Sequence, residues 1–82
     1  MNISEVENID FHSITSELTF KLNPENGFVE GYYSDENYEV TLSPLNQGGE
    51  TGWYAEILGA DGTGVAVNLD SDFIVTDHLA DM

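Results

Sequence analysis

Apolar and polar residues alternate with a period of two along most of this chain, and clusters of turn-forming residues interrupt the alternation. That period puts every second side chain of an extended strand on one face, so it predicts a sheet with one buried side. In Glu17-Leu18-Thr19-Phe20-Lys21-Leu22 the apolar residues 18, 20 and 22 share a face. The cluster Asn23-Pro24-Glu25-Asn26-Gly27 then turns the chain, because Pro presets one backbone angle and Asn-Gly tolerates the left-handed conformation of a reversal. A second strand follows through Phe28-Val29-Glu30-Gly31-Tyr32-Tyr33. The polar turn Ser34-Asp35-Glu36-Asn37 leads to a third, Tyr38-Glu39-Val40-Thr41-Leu42.

Loop length fixes register. A four-residue loop at 24–27 sets Leu22 opposite Val29 and Leu18 opposite Tyr33, and one at 34–37 sets Tyr33 opposite Tyr38 and Val29 opposite Leu42. Apolar then meets apolar at each pair. On the reverse face Lys21 falls opposite Glu30, a cross-strand pair worth a few tenths of a kcal/mol up to ~1 kcal/mol.

Beyond a polar loop from Ser43 to Thr51, containing Pro44 and Gly48-Gly49, alternation resumes in Trp53-Tyr54-Ala55-Glu56-Ile57-Leu58. The turn 59–64 returns into Val65-Ala66-Val67-Asn68-Leu69, pairing Ile57 with Val65, Ala55 with Val67 and Trp53 with Leu69. Phe73-Ile74-Val75-Thr76 reads as a sixth short strand, favoured by its β-branched residues over a terminal helix through His78-Leu79. At the start, Ser4-x-x-Glu7 fits a capping box, with Ile3, Val6 and Ile9 as the apolar stripe of a short helix packed on the sheet. The expectation is one domain over 1–82, mainly β with α+β as the alternative. Its sheet is small and antiparallel, open or curled into a barrel, with five to six strands and a short N-terminal helix.

Charge changes the picture. The 82 residues hold 16 Asp and Glu against a single Lys and no Arg, a formal net charge of −15. A small domain is well served by a magnitude of roughly 2 to 8, beyond which self-repulsion opposes the compact state. Folding remains feasible, because Leu, Ile, Val and Phe supply 22 of the 82 residues, above the level of about a fifth at which charged chains stay disordered. Direct nucleic-acid binding needs Lys and Arg to neutralise phosphates, and an anionic membrane needs them equally. No apolar run approaches the ~18 residues of a spanning helix. The first residues lack the cationic flank and apolar stretch of a secretory leader, so a cytoplasmic protein is expected. Without cysteine there is no disulfide, thiolate metal site or cysteine nucleophile.

Enzymatic readings find little to stand on. A pair of acids flanking a sugar needs a cleft that desolvates one of them, which a sheet this small hardly offers. Ser, His and Asp occur without a Gly-x-Ser-x-Gly elbow, and His12 and His78 have no recognisable catalytic context. Asp61-Gly62-Thr63-Gly64 and Asp70-Ser71-Asp72 are oxygen-rich, yet Ile74 stands where a calcium loop needs its third ligand. Both read as turns. The 59–64 stretch lacks the lysine of a phosphate-binding loop. No enzyme, metal or cofactor is expected.

The acids themselves have a pattern. With apolar faces inward, the outward strand positions hold Glu17, Glu30, Glu39 and Glu56 with Tyr32 and Tyr54 between them, and Glu25, Asp35, Glu36 and Asp61 occupy the turns. Neighbouring strands lie ~4.8 Å apart and same-face residues ~6.6 Å apart, so such a face is a close anionic lattice. Duplex DNA carries one negative charge per about 1.7 Å of axis, and its protein partners are built to meet it. In size, charge and lack of enzymatic motif the chain resembles the small acidic anti-defence proteins of phages and other mobile elements, the anti-CRISPR and anti-restriction proteins that imitate DNA. The resemblance is one of overall character and rests on no family motif. It implies non-covalent occlusion of a basic host protein, a CRISPR effector ahead of a restriction enzyme subunit, by a monomer or homodimer in the host cytoplasm. Glu30, Tyr32, Asp35, Glu36, Glu39, Tyr54 and Glu56 are the expected partner-binding residues. The alternatives are an acidic protein-protein interaction module and a salt-adapted domain without inhibitory activity.

Overall fold

A computed structural model of the protein describes residues 1–25, 27–45 and 51–82; Asn26 of the first turn and the Gly48-Gly49 stretch lie outside the described residues. Two short helices, α1 (Ile3–Glu7) and α2 (Phe11–Thr15), precede six strands: β1 (Thr19–Leu22), β2 (Val29–Ser34), β3 (Tyr38–Pro44), β4 (Trp53–Gly59), β5 (Gly64–Leu69) and β6 (Val75–Asp81). All six form one antiparallel sheet in sequence order. The sheet is open and not closed into a barrel, with β1 and β6 as its edges.

Two hairpins follow the sequence reading residue for residue. Lys21 pairs with Glu30 and Leu22 with Val29. The Asn23 N–H donates to the Phe28 carbonyl at 2.8 Å, which closes the loop at 24–27, and Gly27 takes φ 74° where a side chain would be strained. Trp53 pairs with Leu69, Ala55 with Val67 and Ile57 with Val65. There Asp61 accepts the Thr63 N–H at 3.0 Å and Gly62 takes φ 86°.

The middle hairpin departs from expectation by two residues. Tyr33 faces Val40 instead of Tyr38, and Gly31 instead of Val29 faces Leu42. Asp35 is the cause. Its Oδ1 accepts the N–H groups of Asn37 (2.7 Å) and Tyr38 (3.0 Å), while its own N–H donates to the Tyr38 carbonyl at 3.0 Å. The turn therefore begins at Asp35 and not at Ser34. An even shift leaves every side chain on its predicted face.

Both chain ends are more elaborate than the alternation implied. The capping box joins Asn2 and Glu5, not Ser4 and Glu7: the Glu5 N–H donates to Asn2 Oδ1 at 3.0 Å and the Asn2 N–H to Glu5 Oε1 at 3.2 Å. A second helix follows where none was expected, capped by Asp10, whose Oδ1 accepts the Ser13 N–H at 3.2 Å. The sixth strand is real but starts later and runs longer than 73–76. Asp70 Oδ1 accepts from Asp72 N–H (2.8 Å) and Ile74 N–H (3.0 Å), and Phe73 sits at φ 64°, so the chain is still turning there. Two register shifts against β5 then bulge β6.

Val6, Phe11 and Ile14 of the helices pack on Val40, Leu42, Ala55, Ile57, Val65, Val67 and Leu69. Helices of five residues do not persist alone, so this packing is what holds them. They cover β3 to β5. On the same face Leu18 and Tyr33 pack against the core's margin, while the far end of β1 and β2 is left open, with Phe20, Leu22 and Val29 exposed by 62%, 64% and 53%.

Candidate acidic binding face

The strand pairings order the face opposite the helices into rows. One row runs Thr19, Tyr32, Thr41, Glu56, Ala66, Ala80 across all six strands. Beside it run Ser34, Glu39, Leu58, Gly64 on one flank and Ser43, Tyr54, Asn68, Asp77 on the other. Tyr32, Glu39, Tyr54 and Glu56 thus share a single face. Glu39 and Glu56 line one depression of about 260 Å³ with Thr41, Leu58 and Met82. Glu39 also borders a second, of about 340 Å³, with Thr19, Lys21 and Tyr32.

Side-chain hydrogen bonds hold parts of this surface in place. The Tyr54 hydroxyl donates to Glu56 Oε1 at 2.8 Å, and burial followed by that bond pushes its pKa up to about 12. At the hairpin tip the Tyr33 hydroxyl donates to Asp35 Oδ2 at 2.9 Å, which with some burial raises Tyr33 to about 12. The Asn37 N–H, then Tyr33, hold Asp35 below the usual carboxylate range. Asp35 is thus an exposed carboxylate committed to its turn. Its neighbour Glu36 is exposed at the tip.

Glu30 does not join the exposed set. Its register is as expected, but its side chain is only 8% exposed; Oε1 accepts from Asn23 Nδ2 and Oε2 from Ser43 Oγ, both at 2.6 Å. Nor does Lys21 form an ion pair with it; the ammonium lies 5.4 Å from the centroid of the Tyr32 ring. A lysine on an aromatic face keeps part of its hydration and still gains the ring quadrupole, so two neighbours on one face need not pair. Glu30 acts as a buried acceptor tying the first turn to β3.

Leu58, Met82 and Asp77 belong to the face and were not singled out from the sequence. Alternation along β4 marks Leu58 as outward. Asp77 and Met82 depend on the bulged course of β6, which carries no local signal.

The histidines are engaged locally: His12 meets the Phe73 ring edge-on at 5.1 Å, and His78 Nε2 lies 2.9 Å from Asp81 Oδ1. Among the described residues no group of three or more His, Asp or Glu is placed to hold a metal ion, and no helix is long and apolar enough to cross a membrane. Every buried side-chain nitrogen and oxygen among them has a hydrogen-bond partner. The arrangement offers acceptors and aromatic area to a surface that brings donors. No family model, curated protein or solved structure matches this chain.

Proposed function

We propose that this protein is a non-enzymatic inhibitor that covers a basic, nucleic-acid-binding surface of a host defence protein, a CRISPR effector ahead of a restriction enzyme subunit. One observation carries the reading: in a chain of net charge −15, Glu39 and Glu56 share an open face with Tyr32 and Tyr54, backed by a packed core. Carboxylates on a sheet are fixed in spacing, so they meet a row of Arg and Lys without first being ordered. The tyrosines add contact area to charge pairs that salt would otherwise screen. Glu36 and Asp35 extend the charge to the β2–β3 tip. Association by such a face is fast and falls with ionic strength.

The test is capture of partners from a host lysate at low salt on immobilised protein, followed by competing duplex DNA. A nuclease or DNA-recognition subunit that DNA displaces supports the proposal. Recovery only of proteins that ignore DNA overturns it.

A further inference from the structure

The two edges of the sheet are unlike. β6 is bulged twice against β5 and carries Asp77 and Asp81. β1 is regular over Thr19–Leu22, pairs on one side only, and presents Phe20 and Leu22 beside Val29 of β2 as an exposed apolar strip. A regular open edge with an apolar row along it is a template for one more strand.

Charge selects the occupant. A second copy would bring another −15, which opposes pairing of like chains. Acids bracket the strip: Glu17 precedes β1 and Glu25 follows it, and Asp35 anchors the Tyr33 hydroxyl beyond the strip's other end. Lys21 is turned to the opposite face, over Tyr32, so the positions of an added strand on that side meet the chain's single lysine and favour neutral residues. We infer that the open edge of β1 takes an extended segment of a basic partner, its apolar side chains continuing the Phe20–Leu22 row and its Lys or Arg side chains flanking that row, toward Glu17 at one end and Glu25 at the other. The inference rests on the proposed function for the sign of the partner's charge, and adds a backbone-paired anchor to it.

An acetylated, amidated Lys-Val-Thr-Val-Thr-Val-Lys peptide is a suitable probe, with the same peptide carrying Glu for both Lys as control. Titration of the labelled full chain, followed by amide NMR, is expected to shift residues 19–22 with the Lys peptide and not with the Glu peptide. Phe20→Ser with Leu22→Ser, both exposed and outside the core, should weaken the Lys peptide roughly tenfold or more. Glu39→Gln with Glu56→Gln should leave the β1 shifts in place while weakening affinity less. Shifts confined to the rows of Glu39 and Glu56 overturn the edge site and leave the acidic face standing. No binding of the Lys peptide overturns the edge site as well. Phe20-dependent self-association in high salt overturns it in favour of a second copy.

Discussion

The Tyr54 hydroxyl and the Glu56 carboxylate, two residues apart on β4, meet at 2.8 Å on the acidic face. Deprotonating Tyr54 would remove the donor and set a phenolate beside a carboxylate. Burial first, and this bond to Glu56 second, raise its pKa from 10.0 to about 12. Glu56→Gln is expected to lower the Tyr54 titration only part of the way, since burial remains; alkaline ultraviolet titration against a Tyr54→Phe reference reads it. The sign follows from the raised value: Tyr54's contribution to folding is complete below pH 10 and is lost as pH rises toward 12.

Charge reversal at Glu39 and Glu56 to Lys changes the net charge by four units in the direction that relieves self-repulsion. Two opposite outcomes are expected from one variant. Urea unfolding at low salt should show equal or greater stability than the parent, while affinity for a basic partner falls and its salt dependence flattens. Unchanged affinity at low salt removes these two residues from the interface.

Glu30 should behave as a structural residue. Glu30→Ala strands the Asn23 and Ser43 donors that now reach it at 2.6 Å, which costs about 1–3 kcal/mol. Urea denaturation measures the loss. Partner affinity of the folded variant should stay within error of the parent.

Acid stability has a separate reporter in Asp61. The Thr63 N–H, then the Thr63 hydroxyl and the terminal amine of Met1, lower its pKa from 3.8 to about 2. A lowered value stabilises the fold above pH 3.8, and that contribution is lost as pH falls toward 2. Asp61→Asn should remove this part of the acid transition, followed by Trp53 fluorescence. The parent and the variant should converge at the acid end.

Phe73 combines a left-handed backbone, φ 64°, with a ring stacked 5.9 Å from Trp53. Phe73→Ala loses the ring and keeps the strain, whereas Phe73→Gly loses both. The glycine variant should be the more stable of the two by about 1 kcal/mol in thermal or urea unfolding. A more stable alanine variant would show that the turn relaxes.

Local signals succeeded where alternation and loop composition were enough to set the turn. The 24–27 and 59–64 turns each joined alternating runs, so the register of β1–β2 and β4–β5 was legible. Asp35 defeated the middle register because a side-chain acceptor, not loop composition, chose where the turn starts. At the amino end two cap patterns overlap, Asn2-x-x-Glu5 and Ser4-x-x-Glu7, and packing of Val6 accompanies the first. The burial of Glu30 was hidden for a related reason. Alternation assigns its face correctly, but its partners come from a turn and from a strand thirteen residues away. Tyr32, Glu39, Tyr54 and Glu56 needed only parity to be placed, and parity is what a sequence carries best.

The double bulge of β6 has a consequence for stoichiometry. A sheet with two regular edges propagates, since each added strand exposes a fresh template. Here one end of the meander is out of step with an incoming backbone, so growth through strand pairing ends after a single addition at β1. A chain with a single open edge can add one strand and still not seed fibres of itself through strand pairing.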